Sequence, residues 1–372
     1  MMKIFCLQEN LKNALATAER IVGKNLNLPI LNNLLLKTDK GRLKISSTNL
    51  EIGINYWVSG KIEKEGGITV PARILSSFIS NLPNKKIELT VKEDVLYINC
   101  ENFKAQIKGQ DIKEYPIIPI IESPLNNQLD KEILKIGLSQ VIGGVAISET
   151  RPEISGVLFD FNKNYLKLVG TDSFRLAEKT IFNKNDFQQP IIVPQKTIHE
   201  VIKILAEKNS ENEKNKSLEL FLAPGQIMFD FGNIQMISRL IDGQFPDYQQ
   251  IIPNNFRASA ILNKDEINQI IKVLSLFSGK ISDIKFIVNS AKKTVNIFAQ
   301  NREIGENEAQ IEGEIEGKDM EVAYNWRYLL DGLNNISTKK VFWGFNDESL
   351  PSVLKPVGDE GYVYVVMPVK AV

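Results

Sequence analysis

A long internal repeat runs through this chain of 372 residues. A short apolar run that ends in a polar residue followed by Asn or Asp occurs at 43–49, at 166–172 and at 295–301. The copies begin 123 and 129 residues apart, so three such copies fill the chain. This period is too long for a solenoid of single supersecondary units, and it therefore predicts that each copy is a small domain with its own core.

Two amphipathic helices recur in each copy. Leu75, Phe78, Ile79 and Leu82 have the i, i+3, i+4, i+7 spacing of one apolar helix face. The same stripe returns in the later copies at Ile198, Val201, Ile202 and Leu205, and at Trp326, Leu329, Leu330 and Leu333. An earlier helix in each copy carries Leu11, Leu15 and Ala18, then Leu134, Leu138 and Val141, then Ile267, Ile270, Ile271 and Leu274.

Short alternating runs between these helices predict antiparallel strands, and the stretch 29–36 is also predicted to be a strand. Two segments that contain prolines, 115–127 and 245–253, are predicted linkers because proline offers no hydrogen-bond donor to a sheet. The polar segment 207–216 is predicted to be an exposed loop. The sequence therefore predicts an α+β fold with three similar domains at 1–124, 125–253 and 254–372.

The charge balance limits the function classes. The 45 basic and 45 acidic residues cancel, which argues against binding of nucleic acid through bulk charge unless the charges are segregated. The two cysteines, Cys6 and Cys100, indicate neither a disulfide framework nor a metal site. The sequence shows neither a signal peptide nor a run long enough to span a bilayer, so a cytoplasmic protein is expected.

Catalytic patterns are missing from the sequence. His199 is the single histidine, and it lies beside the apolar face of a helix, where a surface role is more common than catalysis. Neither a phosphate-binding loop nor a dinucleotide turn is present, and neither a cofactor nor a metal is expected. Two rival hypotheses stay open: an enzyme with an unrecognised site around Thr171 and Asp172, and an adaptor that binds proteins but not DNA.

Several segments, in order along the chain, resemble the bacterial DNA sliding clamp family, the beta subunit of DNA polymerase III. The segments that carry the resemblance are Leu28-Pro29-Ile30-Leu31, Val70-Pro71-Ala72-Arg73, Thr171-Asp172 with Arg175-Leu176-Ala177, Phe245-Pro246-Asp247-Tyr248 and Val365-Val366-Met367-Pro368. The resemblance implies a non-enzymatic processivity factor. It also implies that two chains of three domains close head to tail into a ring around duplex DNA, with basic side chains lining the hole.

The resemblance also implies where DNA and partners bind. Sequence-independent phosphate contacts are expected from Lys24, Asn25, Arg73, Ser148, Arg151 and Lys196. Asn25 stands where the family often has arginine. The DNA polymerase III alpha subunit, the clamp loader, other polymerases and repair proteins are expected to insert short linear peptides into one groove. The expected groove residues are Ile154, Thr171, Ser173, Phe174, Arg175, Leu176, Pro246, Gln250, Ile251, Ser352, Val365, Val366, Met367, Pro368, Val369 and Lys370.

Two features of this groove depart from the family pattern. Ser173-Phe174 replaces the usual Gly-His, and the chain continues past Lys370 to Val372. Peptide preference is therefore expected to differ.

For the homodimer, the resemblance implies that one edge strand meets the other subunit. The expected interface residues are Lys104, Ala105, Ile107, Lys108, Leu276, Phe277, Glu303, Glu306 and Glu308. Glu303, Glu306 and Glu308 form an acidic cluster with two interpretations: a solvated loop, or an electrostatic surface for basic residues of another subunit.

Overall fold

The computed structural model describes residues 2–23, 28–121, 126–148, 150–207 and 216–369. By its internal contacts the chain divides into two compact units. Unit 1 comprises Met1–Glu132 together with Lys203–Leu240, and unit 2 comprises Ile133–Ile202 together with Ile241–Val372.

The described residues form helices that are separated by runs of four or five strands. The helices are α1 (Gln8–Glu19), α2 (Ala72–Ser80), α3 (Lys131–Ile142), α4 (Gln195–Ala206), α5 (Lys264–Leu274) and α6 (Trp326–Asn334). The strands up to the start of α3 are β1 (Lys3–Leu7), β2 (Asn33–Asp39), β3 (Arg42–Thr48), β4 (Ile52–Val58), β5 (Gly60–Lys64), β6 (Gly67–Pro71), β7 (Lys86–Lys92), β8 (Val95–Cys100), β9 (Phe103–Lys108) and β10 (Asn126–Asp130). The next strands are β11 (Gly156–Asn162), β12 (Tyr165–Thr171), β13 (Arg175–Phe182), β14 (Pro190–Pro194), β15 (Ser217–Ala223), β16 (Gln226–Asp230) and β17 (Ile234–Arg239). The remaining strands are β18 (Ala258–Asn263), β19 (Asp283–Asn289), β20 (Thr294–Asn301), β21 (Gly305–Glu312), β22 (Glu314–Gly317), β23 (Met320–Asn325), β24 (Lys340–Phe345), β25 (Ser352–Pro356) and β26 (Tyr362–Val366).

Unit 1 contains two sheets. Five strands follow the order β5-β1-β7-β8-β9, and eight follow the order β10-β15-β16-β17-β4-β3-β2-β6. The larger sheet joins strands from distant parts of the sequence, because β17 pairs with β4 with Ile237 opposite Gly53. Helices α1 and α2 pack against each other in this unit.

Unit 2 also contains two sheets. Nine strands follow the order β14-β11-β12-β13-β26-β25-β24-β18-β22, and four follow the order β21-β20-β19-β23. The nine-stranded sheet again joins distant strands, since β13 pairs with β26 with Leu176 opposite Val365. The middle third of the chain therefore gives strands to both units, and the predicted domain boundaries at 124 and 253 remain predictions.

The predicted α+β class with antiparallel sheets is confirmed, because each pairing between the described strands is antiparallel. Most residues of the predicted helical stripes are buried, and the others are half-buried, namely Phe78, Ile202, Leu205, Ile270, Trp326 and Leu330. In α1, Leu11, Leu15 and Ala18 are fully buried, and in α6, Leu329 and Leu333 are fully buried. Burying a leucine side chain contributes about 1.5–3 kcal/mol, so these stripes fix each helix against its sheet.

One local prediction is wrong. The stretch 29–36 is not one strand, because Pro29–Asn32 forms a 3-10 turn and β2 begins only at Asn33. Proline fits the start of such a turn, since its fixed φ suits helical geometry and its missing N–H is not needed there. In the acidic cluster, Glu306 and Glu308 lie in β21, whose charged side chains suit an edge strand. Glu303 lies in the turn before β21.

A close approach of α6 to β26 brings one helix face to the nine-stranded sheet. A Cβ atom on Gly332 would lie 2.5 Å from Cδ1 of Tyr364, so only glycine fits this position. The Tyr364 hydroxyl donates to the backbone oxygen of Tyr328 at 2.8 Å. These contacts place Tyr328 and Asp331 of α6 beside the end of β26.

The predicted loop at 207–216 falls largely outside the described residues, which resume at Lys216. Across the part of the chain that the structure describes, none of the helices is both long enough and apolar enough to cross a bilayer.

Candidate protein-binding groove

The turn between β12 and β13 is built by its own side chains. The Thr171 hydroxyl donates to the backbone oxygen of Arg175 at 2.7 Å. Asp172 Oδ1 accepts from the backbone N–H groups of Phe174 and Arg175 at 2.9 and 3.0 Å, which is a typical aspartate turn. Ser173 adopts φ +78°, a left-handed conformation that is uncommon outside glycine. The turn leaves the Phe174 side chain 61% exposed.

An apolar floor lies next to this turn. Leu158, Val169, Leu176, Val365 and Tyr248 belong to one buried cluster of unit 2. Phe245, Ile252 and Phe256 are partly buried against that cluster. The floor continues into the chain after β26, because the backbone N–H of Met367 donates to the backbone oxygen of Phe174 at 2.8 Å. An exposed phenylalanine and a half-buried methionine therefore lie beside a buried apolar cluster, a combination that suits apolar anchors of a peptide.

Arg175 forms one wall. Its Nε donates to Asp172 Oδ2 at 3.0 Å, and its Nη1 donates to Asp331 Oδ2. Its guanidinium carbon lies 4.4 Å from the centre of the Tyr328 ring. Burial opposes the charge, but Tyr364 and the two carboxylates raise the pKa of Arg175 overall, so the guanidinium stays charged. Because its side chain is 13% exposed, Arg175 fixes the shape of the wall more than it offers a free charge.

The segment 245–248 packs against the buried cluster and is anchored by Tyr248. The Tyr248 hydroxyl donates to Glu178 Oε2 at 2.7 Å, and Lys167 Nζ lies 3.2 Å from the same carboxylate. Burial and the Glu178 carboxylate raise the pKa of Tyr248 well above its ordinary value, so the hydroxyl remains a donor. The rings of Phe245 and Tyr248 meet edge to face at 6.2 Å. This buried network holds the segment against the apolar floor.

Replacing the anchor tests this network. Tyr248→Phe removes the hydrogen-bond donor to the buried Glu178. We expect the free energy of unfolding, measured by urea titration, to fall by about 1–2 kcal/mol. Tyr97→Phe is the matched control, because no hydrogen bond to the Tyr97 hydroxyl occurs among the described residues and Tyr97 is half-buried in β8. Equal midpoints for the two variants would show that the Glu178 contact contributes nothing.

The remaining predicted groove residues divide by exposure. Ile154, Thr171, Leu176, Ser352, Val365 and Val366 are buried and form structure beneath the surface. Pro246, Gln250 and Ile251 are exposed, and Gln250 Nε2 donates to Asp247 Oδ2 at 2.6 Å. Met367, Pro368 and Val369 are half-buried, and the Val369 N–H donates to the oxygen of Ala323 at 2.9 Å. Lys370 lies outside the described residues.

Arg151, predicted from the resemblance to contact DNA, reaches the groove turn. Its Nη1 donates to Ser173 Oγ at 2.8 Å, and its Nε lies 3.3 Å from Glu153. Ser148 supports it, since Ser148 Oγ accepts from the Arg151 N–H at 3.2 Å. Because the Arg151 side chain is about half exposed, it offers a cation at the rim of the groove. The sequence offers little signal for this role, because 22 residues separate Arg151 from Ser173.

The other predicted DNA contacts lie at helix starts or outside the described residues. Lys24 and Asn25 are outside them. Arg73 and Lys196 are the second residues of α2 and α4, and both are exposed. A third copy of this position, not predicted from the sequence, is Arg327, which is the second residue of α6 and is also exposed. The sequence contains a signal for Arg327, because the apolar stripe of each second helix aligns the three copies. That alignment places Arg73, Lys196 and Arg327 at the same position of the repeat.

Two charged strands lie at sheet edges, one in each unit. In unit 1, β9 ends its sheet and exposes Lys104 and Lys108, while Ala105 and Ile107 turn inward. In unit 2, β21 ends its sheet and exposes Glu306 and Glu308. In contact with this second edge, Ser275–Phe277 forms a 3-10 turn in which Leu276 is 70% exposed. A sheet edge with unpaired backbone groups can pair with another chain.

One hypothesis placed an unrecognised catalytic site around Thr171 and Asp172. Both Thr171 and Asp172 are engaged in the turn described above. Within the described ranges, groups of three or more His, Cys, Asp or Glu residues that could hold a metal ion do not occur. Burial raises the pKa of the Cys6 thiol to about 12, so this cysteine is not a reactive thiolate at neutral pH.

The chain resembles known proteins along its length. Three family models match successive segments, described as the N-terminal, central and C-terminal domains of the DNA polymerase III beta subunit, at residues 2–119, 128–247 and 249–370. The chain is 26% identical to the beta sliding clamp of Synechococcus elongatus over 378 aligned positions, covering 99% of both chains. It is 26% identical to that of Staphylococcus aureus, covering 94% of both.

Solved structures show the same likeness. The sliding clamp of Bacillus subtilis superimposes with a TM-score of 0.93 at 25% identity, covering all of both chains. The sliding clamp of Pseudomonas aeruginosa bound to griselimycin superimposes with a TM-score of 0.92 at 25% identity, again covering all of both chains.

Proposed function

The chain belongs to the DNA polymerase III beta subunit family, the bacterial sliding clamps, and we propose that it closes with a second copy into a ring around duplex DNA. In this role it is a processivity factor that tethers the replicative polymerase. The observation that carries the proposal is the succession of the three domain models, which together span residues 2 to 370. We propose domain boundaries at 124 and 253, a cytoplasmic location and no catalytic activity.

The chain carries no net charge, so bulk electrostatic attraction does not hold it on DNA. Retention comes instead from enclosure of the duplex by the ring. Arg73, Lys196 and Arg327 occupy one position of the repeat, the second residue of the second helix in each third. Cations at these positions contact phosphates without reading bases, which lets a ring slide. Lys24 and Asn25 in the first third are proposed to join them. Ser148 and Arg151 in the second third are also proposed to contact DNA, and Arg151 in addition reaches Ser173 of the groove turn.

Ring closure uses the two charged edges. The basic edge β9 of one copy meets the acidic edge β21 of the other, and the same contact forms again on the opposite side of the ring. Lys104 and Lys108 are proposed to face Glu306 and Glu308, with Leu276 and Phe277 packing nearby. The strand of one subunit then covers the exposed edge of the other.

Partners dock in the groove of unit 2. An extended peptide is proposed to place Leu or Phe anchors between Phe174 and Met367, while Arg151 at the rim binds a polar or acidic group of the peptide. We propose the DNA polymerase III alpha subunit, the clamp loader, other polymerases and repair proteins as the partners that use this groove. Ser173-Phe174 sets the peptide preference, because an exposed aromatic ring favours a flat apolar anchor.

One experiment tests enclosure directly. The protein is loaded onto nicked circular DNA with a matching clamp loader and washed with salt of about 0.5 M, which shortens electrostatic range to a few ångströms. The circle is then cut once. We expect the protein to remain through the wash and to leave after the cut, as measured by gel filtration with labelled protein. Release during the wash would contradict the ring and favour an adaptor.

A further inference from the structure

The turn of the groove has a close copy in unit 1. Thr48 Oγ1 donates to the oxygen of Ile52 at 2.9 Å, as Thr171 does to the oxygen of Arg175. Asn49 Oδ1 accepts from the N–H groups of Glu51 and Ile52 at 3.0 and 2.7 Å, as Asp172 does for the two residues after Ser173. Leu50 adopts φ +74°, close to the value at Ser173, although a leucine rarely has a positive φ.

The strand partner of this turn is also copied. The Arg239 N–H donates to the oxygen of Glu51 at 2.9 Å, which matches the bond from Met367 to Phe174. Arg239 therefore stands where unit 2 has Met367, and Glu51 stands where unit 2 has Phe174. Ile118 occupies the position in unit 1 that Tyr248 occupies in unit 2, because it packs on the strand that follows the turn. A Cβ atom on Gly53 of that strand would lie 2.9 Å from Ile118 Cγ2.

A cavity of about 210 Å³ opens at this copied site. Its lining includes the segment 116–119 together with Leu50, Gly53 and Ile237. Beneath it, Ile121, Met228 and Ile237 form a buried cluster with Ile118 packed against them. At its rim Ile117 is 93% exposed and Leu50 is 44% exposed, so apolar surface faces solvent.

Two opposite charges flank this apolar surface. Arg239 and Glu51 both line the cavity and both are exposed. Among the residues that the structure describes, neither side chain has a hydrogen bond or ion pair. An arginine without a carboxylate partner is a ready site for one, because its planar fork binds carboxylates through two parallel hydrogen bonds.

We propose that this cavity of unit 1 is a second binding site for an extended peptide. Its ligand has an aliphatic anchor flanked by an acidic residue, which pairs with Arg239, and by a basic residue, which faces Glu51. The aliphatic anchor follows from the lining, since Ile118 fills the space above Gly53 and leaves a shallow pocket. The inference rests on the proposed peptide role of the groove at Phe174, and the two sites differ in the charge they select.

Fluorescence anisotropy tests the site with a fluorescein-labelled probe of sequence Ser-Lys-Leu-Leu-Glu-Ser. The full chain carrying Phe174→Asp is the parent protein, so that the groove of unit 2 is blocked. We expect saturable binding to this parent and a loss of about tenfold in affinity on adding Arg239→Glu, because the carboxylate partner is lost. The control, Lys37→Glu in the same sheet, reverses an exposed charge and should leave the affinity unchanged.

A second probe makes the test independent of folding. The peptide Ser-Glu-Leu-Leu-Lys-Ser has the charges exchanged, and it should bind the Arg239→Glu protein better than the first probe does. Two results would overturn the second site: equal affinity of the first probe for the parent and for Arg239→Glu, or no saturable binding to the parent. If the Phe174→Asp substitution alone removes all binding, the peptide uses only the groove of unit 2, and the proposed function survives while this inference fails.

Discussion

Reversing the charges of Lys104 and Lys108 is expected to separate the two subunits. In the proposed ring each copy gives its β9 edge to one interface and its β21 edge to the other. Lys104→Glu with Lys108→Glu places four carboxylates along each interface, two from β9 and two from Glu306 and Glu308. Like charges in contact cost several kcal/mol, so the dissociation constant of the dimer should rise about a hundredfold or more.

Mixing two variants restores the attraction. A second protein carries Glu306→Lys with Glu308→Lys, and it too should be a monomer alone because its edges are both basic. In a mixed ring, the acidic β9 of the first variant meets the basic β21 of the second, and the other interface has the natural charges. Analytical ultracentrifugation at about 0.1 M salt should show monomers for each variant and dimers for the mixture.

The control carries Lys37→Glu with Lys40→Glu, which changes the net charge equally at exposed positions away from β9. It should remain a dimer. A mixture that stays monomeric would contradict the head-to-tail arrangement, since a dimer that pairs like edges gains nothing from mixing. Salt of about 1 M should reduce the differences among all variants, because it screens exposed charges.

Replacing Phe174 by aspartate is expected to weaken partner binding about thirtyfold or more while leaving the ring intact. An apolar peptide anchor that packs on Phe174 loses about 2 kcal/mol when the ring is removed, which lowers affinity about thirtyfold. A carboxylate covered by the peptide adds a desolvation cost. Anisotropy of a labelled peptide with Leu and Phe anchors measures the loss, and the circular DNA assay measures retention.

Phe182→Asp provides a matched control. Phe182 is the last residue of β13 and is 83% exposed, whereas Phe174 directly precedes the first residue of the same strand. The same substitution at the far end of the same strand should leave peptide affinity unchanged. An equal loss in both variants would mean that the substitution acts through the stability of β13 rather than through contact with the peptide.

Local patterns in the sequence predicted the helices well. The apolar stripes at 75–82, 198–205 and 326–333 identified α2, α4 and α6, because a helix that packs on one face must carry its buried residues at that period. The stretch 29–36 was predicted wrongly since the apolar run begins within Pro29–Asn32, and hydrophobicity alone does not separate a 3-10 turn with one buried leucine from a strand.

Contacts between distant residues were not predictable in this way. Strand β13 pairs with β26, and nothing within either strand specifies the other, because cross-strand partners are chosen by tertiary packing. The same reason hid the roles of Tyr328 and Asp331, which reach Arg175 only because α6 packs closely on β26. The resemblance indicated the groove, whereas the hydrogen bond from Arg151 to Ser173 is visible only in the structure.

The pairing of β4 with β17 also affects how the chain is made. These strands share one sheet although about 180 residues separate them. At a synthesis rate of 5–20 residues per second, β4 emerges from the ribosome roughly 10 to 40 seconds before its neighbour exists. Throughout that interval the nascent first third presents an unpaired, apolar strand edge, a feature that invites aggregation. The sheet of unit 1 thus makes early folding of the chain depend on the continued synthesis of its middle third.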